Sequence, residues 1–94
     1  MKAVVLLPGV LREHAGGKDR LEVELTDDAR LGLVLDLVSE SWPVLGRRLR
    51  DDTGSVRRHV NLFVDGEDVR RTGGLATPVP DGAVVHVLPS VAGG

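Results

Sequence analysis

The stretch LGLVLDLVSESWP, residues 31–43, decides the fold that the rest of the sequence has to fit. Its apolar side chains recur at the i, i+3, i+4 and i+7 spacing of one helix face. The helix is expected to end at Pro43, because proline cannot continue it. The stripe consists of Leu31, Val34, Leu35, Val38 and, at the end of the helix, Trp42. Three residues with oxygen-bearing side chains precede the helix and are expected to cap its start: Thr26, Asp27 and Asp28.

Strand patterns lie on both sides of this helix. RLEVELT (residues 20–26) alternates between apolar and charged residues and predicts a half-buried strand. KAVVLL (residues 2–7) is apolar on both faces, as in a central strand, and is expected to form a hairpin with it through a turn region. Beyond the helix, residues 44–58 predict a helical turn and a loop. HVNLFV (residues 59–64) then alternates, Asp65-Gly66 predicts a tight turn, a short strand is expected at residues 68–70, and AVVHVLP (residues 83–89) forms the last strand.

One helix among about five strands predicts a two-layer α+β domain, with the helix covering one face of a single sheet. The first and last strands are the most apolar, so we expect them to be central neighbours. The other face of the sheet is left open. The alternation assigns six residues to it: Val4, Leu6, Asn61, Phe63, His86 and Leu88. Three of these would form an exposed apolar patch, and with His86 they are the predicted partner-docking residues: Leu6, Phe63 and Leu88.

The composition excludes several classes of function. The 94 residues contain no Cys, which rules out disulfides, thiolate metal sites and a cysteine nucleophile. The net charge of −2 gives no basic excess for a polyanion, and Trp42 and Phe63, the two aromatic residues, do not make a stacking surface. Local arginine clusters at residues 47–50, 57–58 and 70–71 are either a solvated surface or a docking edge for an acidic partner protein. The apolar run at residues 3–7 is too short for a signal peptide or membrane span, so a cytoplasmic protein is expected.

No internal catalytic or metal-binding set emerges from the sequence. His14, His59 and His86 lack the spacing of metal ligands on one element, although His59 and His86 are candidates for cross-strand neighbours. The serines lie in no nucleophile elbow, and the Gly-Gly pairs lack the context of a phosphate loop. We therefore expect a protein that is not itself an enzyme and binds neither a metal nor a cofactor.

The C-terminal segment SVAGG, residues 90–94, carries a different kind of signal. Its residues are small and uncharged, and a chain of five extended residues reaches at most about 17 Å. Such a segment can be threaded into a narrow site, where glycine lets another protein close around the backbone. An ATP-dependent enzyme can convert the Gly94 carboxylate to an acyl-adenylate. Sulfide would then yield a thiocarboxylate, and an amine would yield an amide.

These features together resemble a known family. The matching stretches are VLREHAGGK, LGLVLDLVSESWP, RRHVNLFVDGEDVR, GGLATPVPDG and VLPSVAGG, which span nearly the whole chain. They resemble the MoaD/ThiS family of ubiquitin-like sulfur carriers, and within it the CysO-type carriers of actinobacterial cysteine biosynthesis. The resemblance implies a β-grasp domain over residues 1–89, with a mixed sheet of about five strands and one main helix. It also implies a flexible tail at residues 90–94.

The resemblance further implies a mechanism. Gly94 would be adenylated by an E1-like enzyme that uses ATP, and then converted to a thiocarboxylate, while Val91, Ala92 and Gly93 thread through the partner's site. The acceptor would be a PLP-dependent cysteine synthase, with a metallopeptidase releasing the product. The sequence leaves three alternatives open: the small subunit of molybdopterin synthase, a ubiquitin-like modifier conjugated through Gly94, and an interaction domain with an incidental Gly-Gly.

Overall fold

Five strands form one mixed sheet in the computed structural model, which describes residues 1–89. In chain order the strands are β1 (Lys2–Leu6), β2 (Arg20–Glu24), β3 (Val60–Val64), β4 (Glu67–Asp68) and β5 (Val84–Pro89). Their lateral order is β2-β1-β5-β3-β4. The β1–β5 pair is parallel, and the other neighbouring pairs are antiparallel. The prediction that the first and last strands are central neighbours is confirmed.

The helical layer is larger than the sequence predicted. It contains α1 (Gly9–Arg12), α2 (Leu31–Ser41) and α3 (Pro43–Leu49), with 3₁₀ turns at Glu13–Ala15, Val69–Arg71 and Gly74–Ala76. Pro43 ends α2, as predicted, but it is also the first residue of α3, where its missing N–H costs no hydrogen bond. The segment expected to be a helical turn and a loop therefore begins with a seven-residue helix. No helix within residues 1–89 is long and apolar enough to cross a membrane.

The predicted capping of α2 by Thr26, Asp27 and Asp28 is wrong. The helix begins at Leu31, and the residue before it, Arg30, makes no side-chain cap. Instead, the Leu31 amide donates a 2.9 Å hydrogen bond to the carbonyl oxygen of Thr77. The free N–H group at the helix start is thus satisfied by a residue far away in the sequence, which a local capping pattern does not reveal.

The junction between α2 and α3 is tightly packed. Ser39 Oγ donates a 2.8 Å hydrogen bond to the Leu35 carbonyl, which holds the hydroxyl inside α2. A Cβ atom at Gly46 would overlap Ser39, so the two helices can approach this closely only because residue 46 is glycine. Trp42, between the helices, is half-buried against the core, as expected for a residue that covers the end of the helix stripe.

The core lies between the helical layer and one face of the sheet. The predicted α2 stripe is buried apart from the half-buried Trp42, and the predicted inward residues of the strands are buried as well. On the strands these are Leu21, Val23, Val60, Leu62, Val64, Val85 and Val87, joined by Ala3 and Val5. Asp65 and Gly66 both have positive φ, 49° and 87°, which confirms the tight turn. The strand expected at residues 68–70 is Glu67–Asp68, and a 3₁₀ turn follows it.

Candidate functional site

The open face of the sheet has an apolar centre that crosses three strands. Leu6 on β1 and Phe63 on β3 are both register partners of His86 on β5, so the three residues form one row. Leu6 and Phe63 are half-buried, and His86 is exposed. Leu88, two residues further along β5, is 37% exposed. The structure thus brings the four predicted docking residues together on one face.

One residue of this apolar centre is absent from the predicted patch. Val84 on β5 is a register partner of Val4 on β1 and is 37% exposed. It lies on the same face as His86 and Leu88, two and four positions before them. The strict alternation of AVVHVLP already carried the signal, because every second residue of a strand shares a face. From here on, the open-face patch means Val4, Leu6, Phe63, Val84, His86 and Leu88.

A polar network borders the patch at the β3–β4 edge. The Arg70 guanidinium donates to both carboxylate oxygens of Asp68, at 3.1 and 2.8 Å, and to Asn61 Oδ1 at 2.9 Å. Asn61 is the register partner of Leu88, and Asp68 is that of Phe63. The side-chain hydrogen bond from Arg70 lowers the pKa of Asp68, and the same bond raises the pKa of Arg70. The network fixes a charged border beside Phe63 and Leu88.

The opposite edge of the patch is charged as well. On β2, Arg20 and Glu22 are the register partners of Leu6 and Val4. Glu22 Oε1 also lies 3.8 Å from Lys2 Nζ. An apolar centre with a charged and polar rim is the anatomy of a protein–protein interface rather than that of a small-molecule pocket.

The predicted pairing of His59 with His86 is wrong. His86 faces Leu6 and Phe63, whereas His59 precedes β3, whose first residue, Val60, pairs with Pro89. His59 therefore lies at the end of the sheet, where it lines a cavity together with His14. Alternation assigned both histidines to one face, but the register pairs His86 with Phe63, four residues after His59.

The described part of the chain offers little for catalysis. Within residues 1–89, no group of three or more histidine or carboxylate side chains is positioned to hold a metal ion. The buried polar side chain found there is Thr77, whose hydroxyl lies 3.0 Å from that of Thr72. It is therefore satisfied internally and serves the structure.

The candidate reactive segment, residues 90–94, comes directly after the middle strand of the sheet in the sequence. β5 is the middle strand and ends at Pro89, beside the open-face patch. The residues predicted to act in the tail, Val91, Ala92, Gly93 and Gly94, lie outside the described residues. Any partner that takes hold of these residues must come within their length of Pro89, and so close to Leu88.

Comparisons with known proteins agree with this geometry. A family model described as the ThiS family matches residues 5–94. Sulfur carrier protein CysO of Mycobacterium tuberculosis strain H37Rv is 41% identical over 96 residues, which cover 100% of both chains. Small archaeal modifier protein 3 of Haloferax volcanii is 40% identical over 83 residues, 88% of each chain. A chain of the Amycolatopsis orientalis BexX/CysO complex matches with a TM-score of 0.86 and 35% identity, over 98% of this chain and 99% of that one. The sheet and its helical layer thus form the ubiquitin-like β-grasp fold that the sequence predicted.

Proposed function

The chain belongs to the ThiS family, and from this premise we propose that it is a CysO-type sulfur carrier that works through Gly94. An E1-like enzyme joins the Gly94 carboxylate to the AMP portion of ATP, and pyrophosphate leaves. Sulfide then attacks the acyl-adenylate and expels AMP, which leaves a thiocarboxylate at Gly94. The carrier delivers this sulfur to an acceptor enzyme.

One observation carries the proposal: the similarity to the CysO carrier covers both chains completely, and the family match runs through residue 94. The reacting group is then a backbone carboxylate. This chemistry asks for no side chain in the carrier itself, because the activating enzyme supplies the nucleotide and the groups that stabilise the transition state. The chain is a substrate of its partner enzymes, it needs no bound metal or cofactor, and it works in the cytoplasm where ATP is available.

We assign the docking of the activating enzyme to the open-face patch. Phe63, Leu6 and His86 form its central row, and Leu88 extends it toward the tail. An enzyme that covers this face buries apolar surface that the helical layer leaves exposed, and it meets the tail at the end of β5. The complex of the Amycolatopsis orientalis relative with BexX supports the idea that carriers of this shape assemble with a second protein.

The similarity to CysO supports a PLP-dependent cysteine synthase as the sulfur acceptor and a metallopeptidase that frees the cysteine formed on the tail. A second function has its own support. The 40% identity to small archaeal modifier protein 3 favours conjugation through Gly94 to lysine amines of other proteins. Both functions begin with the same adenylate, and they differ only in the nucleophile that attacks it.

The proposal is tested by changing the position of the reactive carboxylate without changing the body. A variant with one Ala added after Gly94 and a variant lacking Gly94 are each incubated with ATP and the activating enzyme. We expect adenylation to be lost in both, with an unchanged circular dichroism spectrum. The matched control carries one extra Ala at the other end of the chain and should be activated like the wild type. Full-rate thiocarboxylation of the extended variant, without trimming, would refute the role of Gly94.

A further inference from the structure

A cavity of about 310 Å³ lies at the end of the sheet where β5 finishes. Three successive β5 residues, ending in Pro89, form one side of it. The first residue of β3, the α1 region and α3 supply the other walls. Its apolar lining includes Val10, Leu11 and Val60. The cavity therefore adjoins the residue that immediately precedes the reactive tail.

The polar lining of this cavity is rich in hydrogen-bond donors. It consists of Arg48 from α3, His14, His59 and one carboxylate, Glu13. Glu13 Oε1 lies 3.6 Å from His14 Nε2, and its side chain is 79% exposed. An imidazole presents at least one N–H donor in either tautomer, and a guanidinium presents five. The side chains that line the cavity thus supply several donors and a single carboxylate.

Several arginines of residues 1–89 have no side-chain partner there, and among these Arg48 is the one that lines this cavity. Arg50 is paired with Asp36 at 2.6 Å, and Arg70 with Asp68 at 2.8 Å. Within residues 1–89, Arg48 makes neither an ion pair nor a side-chain hydrogen bond. A positive charge that lines a cavity and has no carboxylate partner in this part of the chain is complementary to an anion from outside.

The cavity is continuous with the open-face patch. Leu88 belongs to both, and on the far side Val10 is 69% exposed, the highest value among the exposed large apolar side chains of residues 1–89. The apolar surface therefore turns around the end of the sheet, from Phe63 through Leu88 to Val10, and surrounds the point where β5 ends.

We propose that this cavity receives an acidic side chain of the activating enzyme, carried on a segment whose apolar part covers Val10 and Leu88. The proposal rests on the proposed function, because an enzyme that processes Gly94 must come within about 17 Å of Pro89. The cavity lies within this distance, because Pro89 itself lines it. A carboxylate fits the site because a guanidinium binds it in a bidentate manner and the imidazole N–H groups add further donors.

Two neighbouring arginines on α3 give a matched test. Arg48 lines this cavity, whereas Arg47 lines a different one together with Asp36 and Asp51. We expect Arg48→Glu to weaken binding of the activating enzyme at least about tenfold in low salt, mainly through slower association, and Arg47→Glu to change it less than about twofold. The difference between the two variants should shrink as salt is added, because salt screens exposed charges. Equal effects of the two variants would overturn the proposal.

A second variant is expected to strengthen binding of the activating enzyme instead of weakening it. Glu13→Gln removes the carboxylate that competes for the donors, so we expect it to bind the enzyme more tightly than the wild type. A purely structural role of these residues predicts no such gain, and weaker binding of Glu13→Gln would overturn the proposal. Tighter binding or faster activation of Arg48→Glu would overturn it as well, since a site for an acidic side chain must lose affinity when its arginine becomes a glutamate.

The outcome is separable from that of the proposed function. Wild-type protein is first tested for thiocarboxylation at saturating enzyme. If the wild type is not modified, the proposed function fails. If the wild type is modified but Arg48→Glu and Arg47→Glu bind alike, only the cavity proposal fails. Urea unfolding of each variant serves as the folding control, because Arg47, Arg48 and Glu13 are exposed and their replacement should leave the midpoint nearly unchanged.

Discussion

The two faces of the central strands carry similar apolar residues, but the residues of only one face are fully buried. On β3, Leu62 is buried under the helical layer while its neighbour Phe63 is half-buried on the open face. On β5, Val87 is buried while Leu88 is 37% exposed. The helical layer covers one face alone, so apolar residues on that face stabilise the fold. Those on the other face stay exposed or half-buried, and under the proposed function they contact a partner.

The largest expected effect is the contrast between Leu62→Ala and Phe63→Ala. Leu62 is 2% exposed, so its truncation leaves a core cavity and should reduce the free energy of unfolding by roughly 2–5 kcal/mol. Phe63→Ala should cost much less stability, because its side chain already contacts solvent. It should instead weaken binding of the activating enzyme by at least about tenfold, since burial of one large apolar side chain contributes roughly 1.5–3 kcal/mol.

Urea unfolding and calorimetric binding of both variants check this contrast. If Phe63→Ala unfolds the protein while Leu62→Ala leaves it stable, the assignment of Leu62 to the buried face and of Phe63 to the open face is wrong. If Phe63→Ala is stable and binds like the wild type, the open-face patch is not the docking surface.

A smaller effect is expected from packing within the helical layer. Gly46→Ala places a methyl group against Ser39, and separating the two helices should cost roughly 1–3 kcal/mol of unfolding free energy. Gly9→Ala is the control, because a Cβ atom there has no neighbour within 4 Å. A Gly46→Ala variant as stable as the Gly9→Ala variant would show that α2 and α3 are not in close contact.

The smallest effect concerns the rim of the open face. The Arg70 hydrogen bond lowers the pKa of Asp68, so the charged carboxylate stabilises the folded state above its ordinary pKa of about 3.9. This contribution is lost as the pH falls through the lower folded-state pKa. We expect Asp68→Asn to be slightly less stable than the wild type at neutral pH, and the difference to close in acid. A difference in unfolding free energy that stays constant down to strongly acidic pH would contradict this role of the network.

Periodicity allowed most of the sheet and its faces to be predicted. The alternation in HVNLFV assigned Leu62 and Phe63 to opposite faces, and that in AVVHVLP did the same for Val87 and Leu88, because side chains of successive strand residues point to opposite faces. The predicted cap of α2 was wrong for a physical reason. The Leu31 amide donates to the carbonyl oxygen of Thr77, and a contact over that distance in the sequence leaves no local pattern.

Only part of the candidate site could be predicted, because contacts between residues distant in the sequence leave no local pattern. Leu6, Phe63 and His86 could be placed together, since strand alternation and the neighbouring positions of β1 and β5 are both visible in the sequence. The cavity at Pro89 could not be predicted, because Arg48 and His14 come to line it only when α3 and the α1 region pack against the end of the sheet. The roles of residues 91–94 rest on the resemblance and remain predictions.

The most direct test of the central claim is the intact mass of the wild-type chain. It is measured after incubation with ATP, a sulfide donor and the activating enzyme of the same organism. We predict a mass increase equal to the replacement of one oxygen by sulfur, located at Gly94 by fragmentation, with no increase when ATP is left out. An unchanged mass, or sulfur found at any other position, would contradict the account.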